Sequence, residues 1–218
     1  MTRTTLLAEL RDGVLLLTLN RPARRNAFND AQYDDLRAAL AQAQADDDTR
    51  VVVITGAGGA FSAGQDIDEM GSGRSFTPFV DQLSVFYKPL IAAVSGVAVG
   101  IGLTLLPHCD IVYVGESARL RAPFTALGLV CEAGSSLLLP LVMGPQRAAE
   151  VLFTAQWINA EQAVALGLAA RVCPDHELLP AALATAQAIA VQPLVAVQQT
   201  KRLLLATRSE AVQAARAR

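Results

Sequence analysis

KPLIAAVSGVAVGIGLTLLPHCD, residues 88–110, decides how the rest of the chain reads, because it holds an apolar run, a glycine-spaced break and a second apolar run. Leu90–Val94 suits a strand buried on both faces. Gly96, Gly100 and Gly102 interrupt it, and Leu103–Leu106 reads as the start of a buried helix. Glycines in such a loop serve either a tight turn or the close approach of backbone to a ligand, and the loop alone does not separate the two. Pro89–Pro107 carries no charge and must be weighed as a membrane span. Three glycines, a serine and a threonine break it, a proline bounds each end, and no second comparable segment exists. It therefore reads as a core element of a soluble fold.

The N-terminal MTRTTLLAELRDGV has acids where the apolar core of a signal peptide would continue, so no leader is expected. The chain has 218 residues, enough for one large domain or one domain with a helical appendix. Hydrophobic residues make up 52% and charged ones 17%, with a mean hydropathy of +0.36. That is more apolar than one soluble domain needs, which predicts apolar surface buried between subunits. A net charge of -2 leaves no basic footprint for nucleic acid. Cys109, Cys131 and Cys173, an odd set without paired spacing, point to a reducing cytoplasm. His108 and His176 are in no ligand-type spacing, so no metal site is expected.

Taken in order, Leu6–Leu10 and Val14–Leu19 form a hairpin about Arg11-Asp12-Gly13. Arg21 to Asn26 is a loop with cations, either a solvated turn or a clamp for an anion. Asn29 or Asp30 caps a helix to about Asp46, with Tyr33, Leu36, Leu40 and Ala43 on one face. Val51–Thr55 is a strand, and TGAGGAFSAGQDIDEM, residues 55–70, follows it. The dinucleotide-binding pattern G-x-G-x-x-G fails there, since Gly56 and Gly58 fit but position 61 is Phe. Asp66 reads instead as a cap opening a short helix.

Residues 71–79 are turn-rich and expected to be mobile, and Val80–Tyr87 reads as a helix. Ile111–Val114 is a strand, Arg119–Arg121 is extended, and Pro123–Leu127 is a turn of helix before a loop holding Glu132. Helices follow from Ser135, from Pro145 through Phe153, and over Ala160–Leu166, ended by Gly167. Ala169–Val172 is a strand, and the tail reads as two helices with breaks at Pro180 and Pro193. Repeated strand–helix units before an all-helical tail predict an α/β core plus a helical appendix.

AFSAGQDIDEM (Ala60–Met70) and AVSGVAVGIGLTLLPHCDI (Ala93–Ile111) together resemble the two signature segments of the crotonase, or enoyl-CoA hydratase/isomerase, superfamily. NRPARRNAF (Asn20–Phe28) is similar to its first CoA-contacting loop, and FTALGLVCEAGSSLLLPLVMG (Phe124–Gly144) continues the likeness. The resemblance implies an α/β fold, a spiral of ββα units with a C-terminal helical appendix. Residues 1–144 would be the core with the active site, and 145–218 a mainly helical region of the same fold used in trimerisation. It also implies acyl-CoA thioester substrates, no cofactor beyond the substrate's own coenzyme A, and homotrimers or hexamers built as dimers of trimers. The oxyanion hole would be the backbone N–H groups of Gln65 and Ile101, both at loop-to-helix junctions where a developing negative charge is favoured. CoA contacts would fall on Ala23, Arg24, Asn26, Ala27, Ala63, Gly64, Asp66, Ile67 and Gly100.

Departures from the family pattern bear on the reaction. The two glutamates of its hydratases fall here on Thr104 and Phe124, and water addition needs a group to activate water and a second carboxylate to assist. Glu132, in VCEAGSS, resembles the PEGCSS-type segment of the Δ3,Δ2-enoyl-CoA isomerase branch. One carboxylate suffices for a double-bond shift, since the proton taken from C2 is returned at C4. The expected activity is isomerisation of 3-enoyl-CoA to 2-enoyl-CoA with Glu132 as base. Rivals are another acyl-CoA reaction, hydratase-like or thioester-hydrolysing, and a non-catalytic acyl-CoA-binding homologue. Leu129, Val130, Phe124 and Leu127 would raise the Glu132 pKa by burial, and a helix N-terminus would lower it. Without the family, Glu132 reads as a first-turn acid, Cys131 and His108 as structural, and Lys201 and Arg202 as a solvated face.

Overall fold

The computed structural model describes residues 5–69 and 73–216. A six-stranded sheet runs β1 (Leu6–Arg11), β2 (Val14–Leu19), β3 (Val51–Gly56), β4 (Leu90–Val94), β6 (Ile111–Gly115), β9 (Arg171–Cys173). β1 and β2 form the antiparallel hairpin, and every later pairing in this sheet is parallel. A second sheet holds β5 (Val97–Val99), β7 (Arg119–Arg121) and β8 (Ile158–Asn159). Consecutive strands therefore go one to each sheet: β4 then β5, β6 then β7. The same step follows β3, where Ser62 makes a parallel bridge to Ala98 of β5. Helices close the repeats, which is the ββα spiral expected from the resemblance.

Nine α-helices are described: α1 (Asp30–Ala45), α2 (Phe76–Val85), α3 (Ile101–Thr104), α4 (Ser135–Met143), α5 (Pro145–Thr154), α6 (Ala160–Ala165), α7 (Asp175–Ala190), α8 (Leu194–Ala206) and α9 (Ser209–Arg216). β3 and β4 are buried on both faces, which is why they read as continuous apolar runs rather than alternating ones. Val52, Ile54 and Ala92 join the core beneath α1. Val51, Val53, Ile91 and Ala93 face the other way, against Leu178, Ala182, Ala186 and Ala190 of α7. The four-residue spacing of those α7 side chains puts them on one helix face, and three alanines let the helix lie close to the sheet. Residues 145–218 thus supply both a strand of the main sheet and the helix that covers its back.

Several local expectations change. The tail holds three helices rather than two. Pro180 is exposed and lies inside α7 without ending it, because the helix loses only local hydrogen bonding there while its buried face stays packed. Pro193 does end it, and α8 leaves at 109° to α7. The helix expected from Leu103 begins at Ile101 and lasts one turn, since Pro107 has no N–H to continue it and a 3-10 turn, Leu106–His108, takes over. The helix expected at Val80 starts at Phe76, and the strand expected at Ala169 runs over Arg171–Cys173. Of the stretch expected to be turn-rich and mobile, residues 71 and 72 lie outside the described residues, and Phe76 onward is helix.

Lys201 is not on a solvated face. Its Nζ is buried against the carbonyl of Lys88 at 2.6 Å and Oδ2 of Asp110 at 2.8 Å, and it stacks 5.1 Å from the Phe86 ring. Arg202 is exposed, as expected of a solvated face, with its guanidinium over the Tyr87 ring at 4.1 Å. These contacts tie α8 to the strand and loop that lead into the central glycines. Among the described residues, no single helix is long and apolar enough to cross a membrane. Lys201→Met is expected to lower stability by roughly 2 kcal/mol, below the full cost of a broken buried pair because Asp110 is partly exposed and keeps the Leu90 N–H. A lower urea midpoint with an unchanged denaturant slope would register it.

Candidate active site

Two loops meet behind α3, and they do so backbone to backbone. A Cβ on Gly64 would stand 2.9 Å from the Val99 carbonyl oxygen, and one on Gly102 would stand 2.9 Å from the carbonyl oxygen of Ser62. The central glycines therefore serve close approach, here of one loop to the other. Ser62 stitches the contact, donating its N–H to Val97 O at 2.9 Å and accepting Val99 N–H at 2.9 Å. Asn26, fully buried, holds the other side: Nδ2 donates to the carbonyls of Ala57 and Ala60, and Oδ1 accepts the Arg21 N–H.

That stitching sets the direction of two amides. Gly64 O accepts the Phe28 N–H at 2.7 Å, and Gly100 O accepts the N–H groups of Leu103 and Thr104 at 2.9 Å. In a trans peptide the N–H points opposite to the C=O of the same plane. The Gln65 N–H is thereby turned away from Phe28, and the Ile101 N–H away from the turns of α3. Neighbouring donors are occupied: Gly64 N–H by Ser62 Oγ, Asp66 N–H by Phe28 O, and Gly100 N–H by Arg121 O. Among the described residues no acceptor takes the Gln65 or Ile101 N–H.

Gln65, Ile101 and Glu132 line one cavity of about 390 Å³, together with Ala63, Gly64, Ile67 and Gly100. All four apolar residues expected around Glu132, namely Phe124, Leu127, Leu129 and Val130, line it as well. Burial raises the Glu132 carboxyl to about 7. α4 starts three residues later, at Ser135. Glu132 sits in a taut bend: Ala133 has φ 54, Glu132 O accepts the Ser135 N–H and hydroxyl, and His108 Nε2 donates to Ala133 O at 2.8 Å.

The remaining sequence-named residues fall outside this lining. Ala23 and Arg24 are exposed on a 3-10 turn, Pro22–Arg24, and Arg24 pairs with Asp68. Asn26 and Ala27 are buried, their side chains behind the loop. Asp66 is 3% exposed and caps the next turn through Asp68 N–H at 3.2 Å. Burial alone would raise its pKa, but the Arg21 hydrogen bond at 2.9 Å, the Asp68 N–H and the charges of Arg21 and Arg24 hold it below the usual carboxylate range. Its side chain is an internal strut. Of the two positions where the resemblance would put hydratase glutamates, Phe124 lines the cavity and Thr104 is buried in α3.

The enoyl-CoA hydratase/isomerase family model matches residues 9–218. The chain belongs to this family. It is 38% identical over 201 residues to a 1,2-epoxyphenylacetyl-CoA isomerase of Escherichia coli K12, covering 86% of this chain and 77% of that protein. A 2,3-dehydroadipyl-CoA hydratase from the same organism is 38% identical over 216 residues, covering 96% of this chain and 85% of that protein. Among solved structures, an enoyl-CoA hydratase/isomerase from Pseudoalteromonas atlantica T6c superposes with a TM-score of 0.95 at 40% identity, covering 98% of this chain and 87% of that one. The family contains both hydratases and isomerases, so membership establishes an enzyme of this hydratase/isomerase class and leaves the reaction to the cavity.

Sequence reasoning missed Tyr33 as a site residue, placing it only on the core face of α1. Its hydroxyl donates to Gln65 Oε1 at 2.8 Å. The available signal was a lone phenol on an otherwise apolar face, since a buried phenol needs a partner. The raised Glu132 pKa also has a sign for stability. The folded protein holds this proton up to about pH 7, against an ordinary value of 4.5 when unfolded. The contribution is therefore present below 4.5 and lost as pH rises to 7. Urea titrations of Glu132→Gln and wild type are expected to converge at low pH and to diverge above neutrality, with the variant the more stable.

Proposed function

We propose that this enzyme shifts a C=C bond, converting 3-enoyl-CoA to 2-enoyl-CoA. The observation that carries the reading is a cavity in which Glu132 is the sole carboxylate among the described lining residues, and whose lining includes Gln65 and Ile101, whose amides have no acceptor among the described residues. In the proposed mechanism the thioester oxygen accepts hydrogen bonds from the Gln65 and Ile101 N–H groups, which stabilise the charge that develops there when C2 is deprotonated. Glu132 removes the C2 proton, the electrons delocalise as a dienolate, and the same carboxyl returns the proton to C4. A base with a pKa of about 7 suits both half-steps near neutrality, since it accepts and releases the proton with little bias. No further cofactor enters this scheme.

Water addition is the less well supported alternative, because the second carboxylate that would assist it is missing from the lining and Phe124 stands in that place. For the coenzyme A part of the substrate, we propose contacts from the 3-10 turn holding Ala23 and Arg24, which reaches Asp68 beside the cavity-lining Ile67. The main chain of Asn26, Ala27 and Asp66 would shape that subsite.

We also place the protein in assemblies of three or six copies in a reducing cytoplasm. Exposed apolar side chains support the assembly, among them Phe153 at 75%, Val195 at 70% and Leu203 at 71% exposure. Three unpaired cysteines support the compartment.

Incubation with 3-enoyl-CoA is expected to give 2-enoyl-CoA without 3-hydroxyacyl-CoA, and Glu132→Gln to lose roughly a hundredfold or more in kcat, the usual weight of a general base. Formation of the hydroxyacyl product by wild type would overturn the isomerase reading. Light scattering on the eluting protein is expected to return three or six times the 23.0 kDa chain mass.

A further inference from the structure

Tyr33 stands at the centre of an aromatic cluster, 1% exposed, with ring centroids 4.8 Å from Phe28, 5.5 Å from Phe79 and 5.7 Å from Phe76. Phe76 is also part of the cavity lining, so Tyr33 packs against a ring that borders the cavity. The phenol donates to Gln65 Oε1 at 2.8 Å. Burial first, and then the charges of Glu132 and Asp30, push the phenol's ionisation upward. It thus stays a neutral donor across the working range, and Gln65 Oε1 stays its acceptor.

The mechanical consequence lies in the peptide plane between Gly64 and Gln65. One edge is held by the Phe28 N–H on Gly64 O, and the next plane by Asp66 N–H on Phe28 O. Both of these anchors come from Phe28 and set the plane's general direction, while Ser62 Oγ holds the Gly64 N–H at 3.1 Å. Gly64, at φ 94, has no side chain of its own to resist small tilts of the plane. The Gln65 carboxamide is a further attachment, and it fastens the segment to a different element, α1.

We propose that Tyr33 is a positioning residue: through the carboxamide of Gln65 it limits the residual tilt of that peptide plane and so refines the aim of the Gln65 N–H at the thioester oxygen. This rests on the acyl-CoA reading of the cavity, and it goes beyond that reading by assigning a role to a side chain that does not line the cavity. A donor tilted off its target loses strength in the transition state, where charge on the oxygen is greatest, more than in the ground state.

Tyr33→Phe keeps the ring and its packing while removing the hydroxyl. With 3-enoyl-CoA the expected result is a fall in kcat of about tenfold, the upper end of one hydrogen bond's net worth, with KM within about twofold. Gln65→Met keeps the backbone N–H and is expected to show the same fall, and the double variant to lose no more than either single. A second readout, independent of turnover, is the near-ultraviolet absorbance of acetoacetyl-CoA, which reports how far the bound ligand is converted to its enolate. Wild type is expected to enrich the enolate, and both single variants to lose most of that enrichment. A Tyr33→Phe enzyme with wild-type kcat and wild-type enolate absorbance overturns the proposal, whatever its melting temperature. So does a double variant whose losses multiply. A wild type that enolises acetoacetyl-CoA, with Tyr33→Phe impaired, but leaves 3-enoyl-CoA unchanged upholds the positioning role and removes only the isomerase reading.

Discussion

The contact between the 60–66 loop and the 96–102 loop governs the rest of this molecule. Each loop brings bare backbone against the other, at distances where a methyl group would collide with a carbonyl oxygen. Backbone packed that closely spends most of its polar groups on its neighbours, through Ser62, Val97 and Val99. The amides left over are those of Gln65 and Ile101, and their direction follows from where the adjoining carbonyls are anchored. A binding surface made of main chain, as proposed for these amides, is economical in sequence, because it asks for glycines and anchors rather than for a particular reactive side chain.

Around that contact the energetics divide by depth. Behind it lie fully satisfied polar groups: Asn26 in its three hydrogen bonds, Asp66 against Arg21, Lys201 against Asp110 and the Lys88 carbonyl. In front lies an apolar cavity in which Glu132 pays for its position with a raised pKa. The same carboxyl is thus a small liability for stability above neutrality, and its raised pKa is the property the proposed base requires. A structural acid would be placed where its charge is solvated or paired, as Asp66 is. The two carboxyls contrast in surroundings: Asp66 is paired and held below the usual carboxylate range, whereas Glu132 lies in an apolar lining and is raised above it.

The large elements were readable because they are periodic and long. β3 and β4 show unbroken apolar runs, and α1 carries its core face at regular spacing beside an Asn29 cap that accepts the Gln32 N–H. Short elements escaped: β5 and β8 have three and two residues, too few to carry a period, and each exists only because a partner strand is present. Pro180 was misread as a break for a related reason. A local rule against proline in helices holds when nothing else is at stake, and α7 is held by its whole buried face.

The residues and their spacing determined the family, the two glycine-flanked bends, and the presence of one acid, Glu132, where hydratases of this kind would need two others. Tertiary structure decided which of the named residues share a cavity. Ala63, Gly64, Gln65, Ile67, Gly100, Ile101 and Glu132 do, while Asn26 and Asp66 turn inward as struts and Tyr33 joins from a helix more than thirty positions away, at a separation of 32 residues from Gln65. The reason is physical: spacing along a chain constrains neighbours within a turn or a strand, but the direction of a peptide plane and the solvation of a carboxyl are set by groups that arrive from elsewhere in the fold.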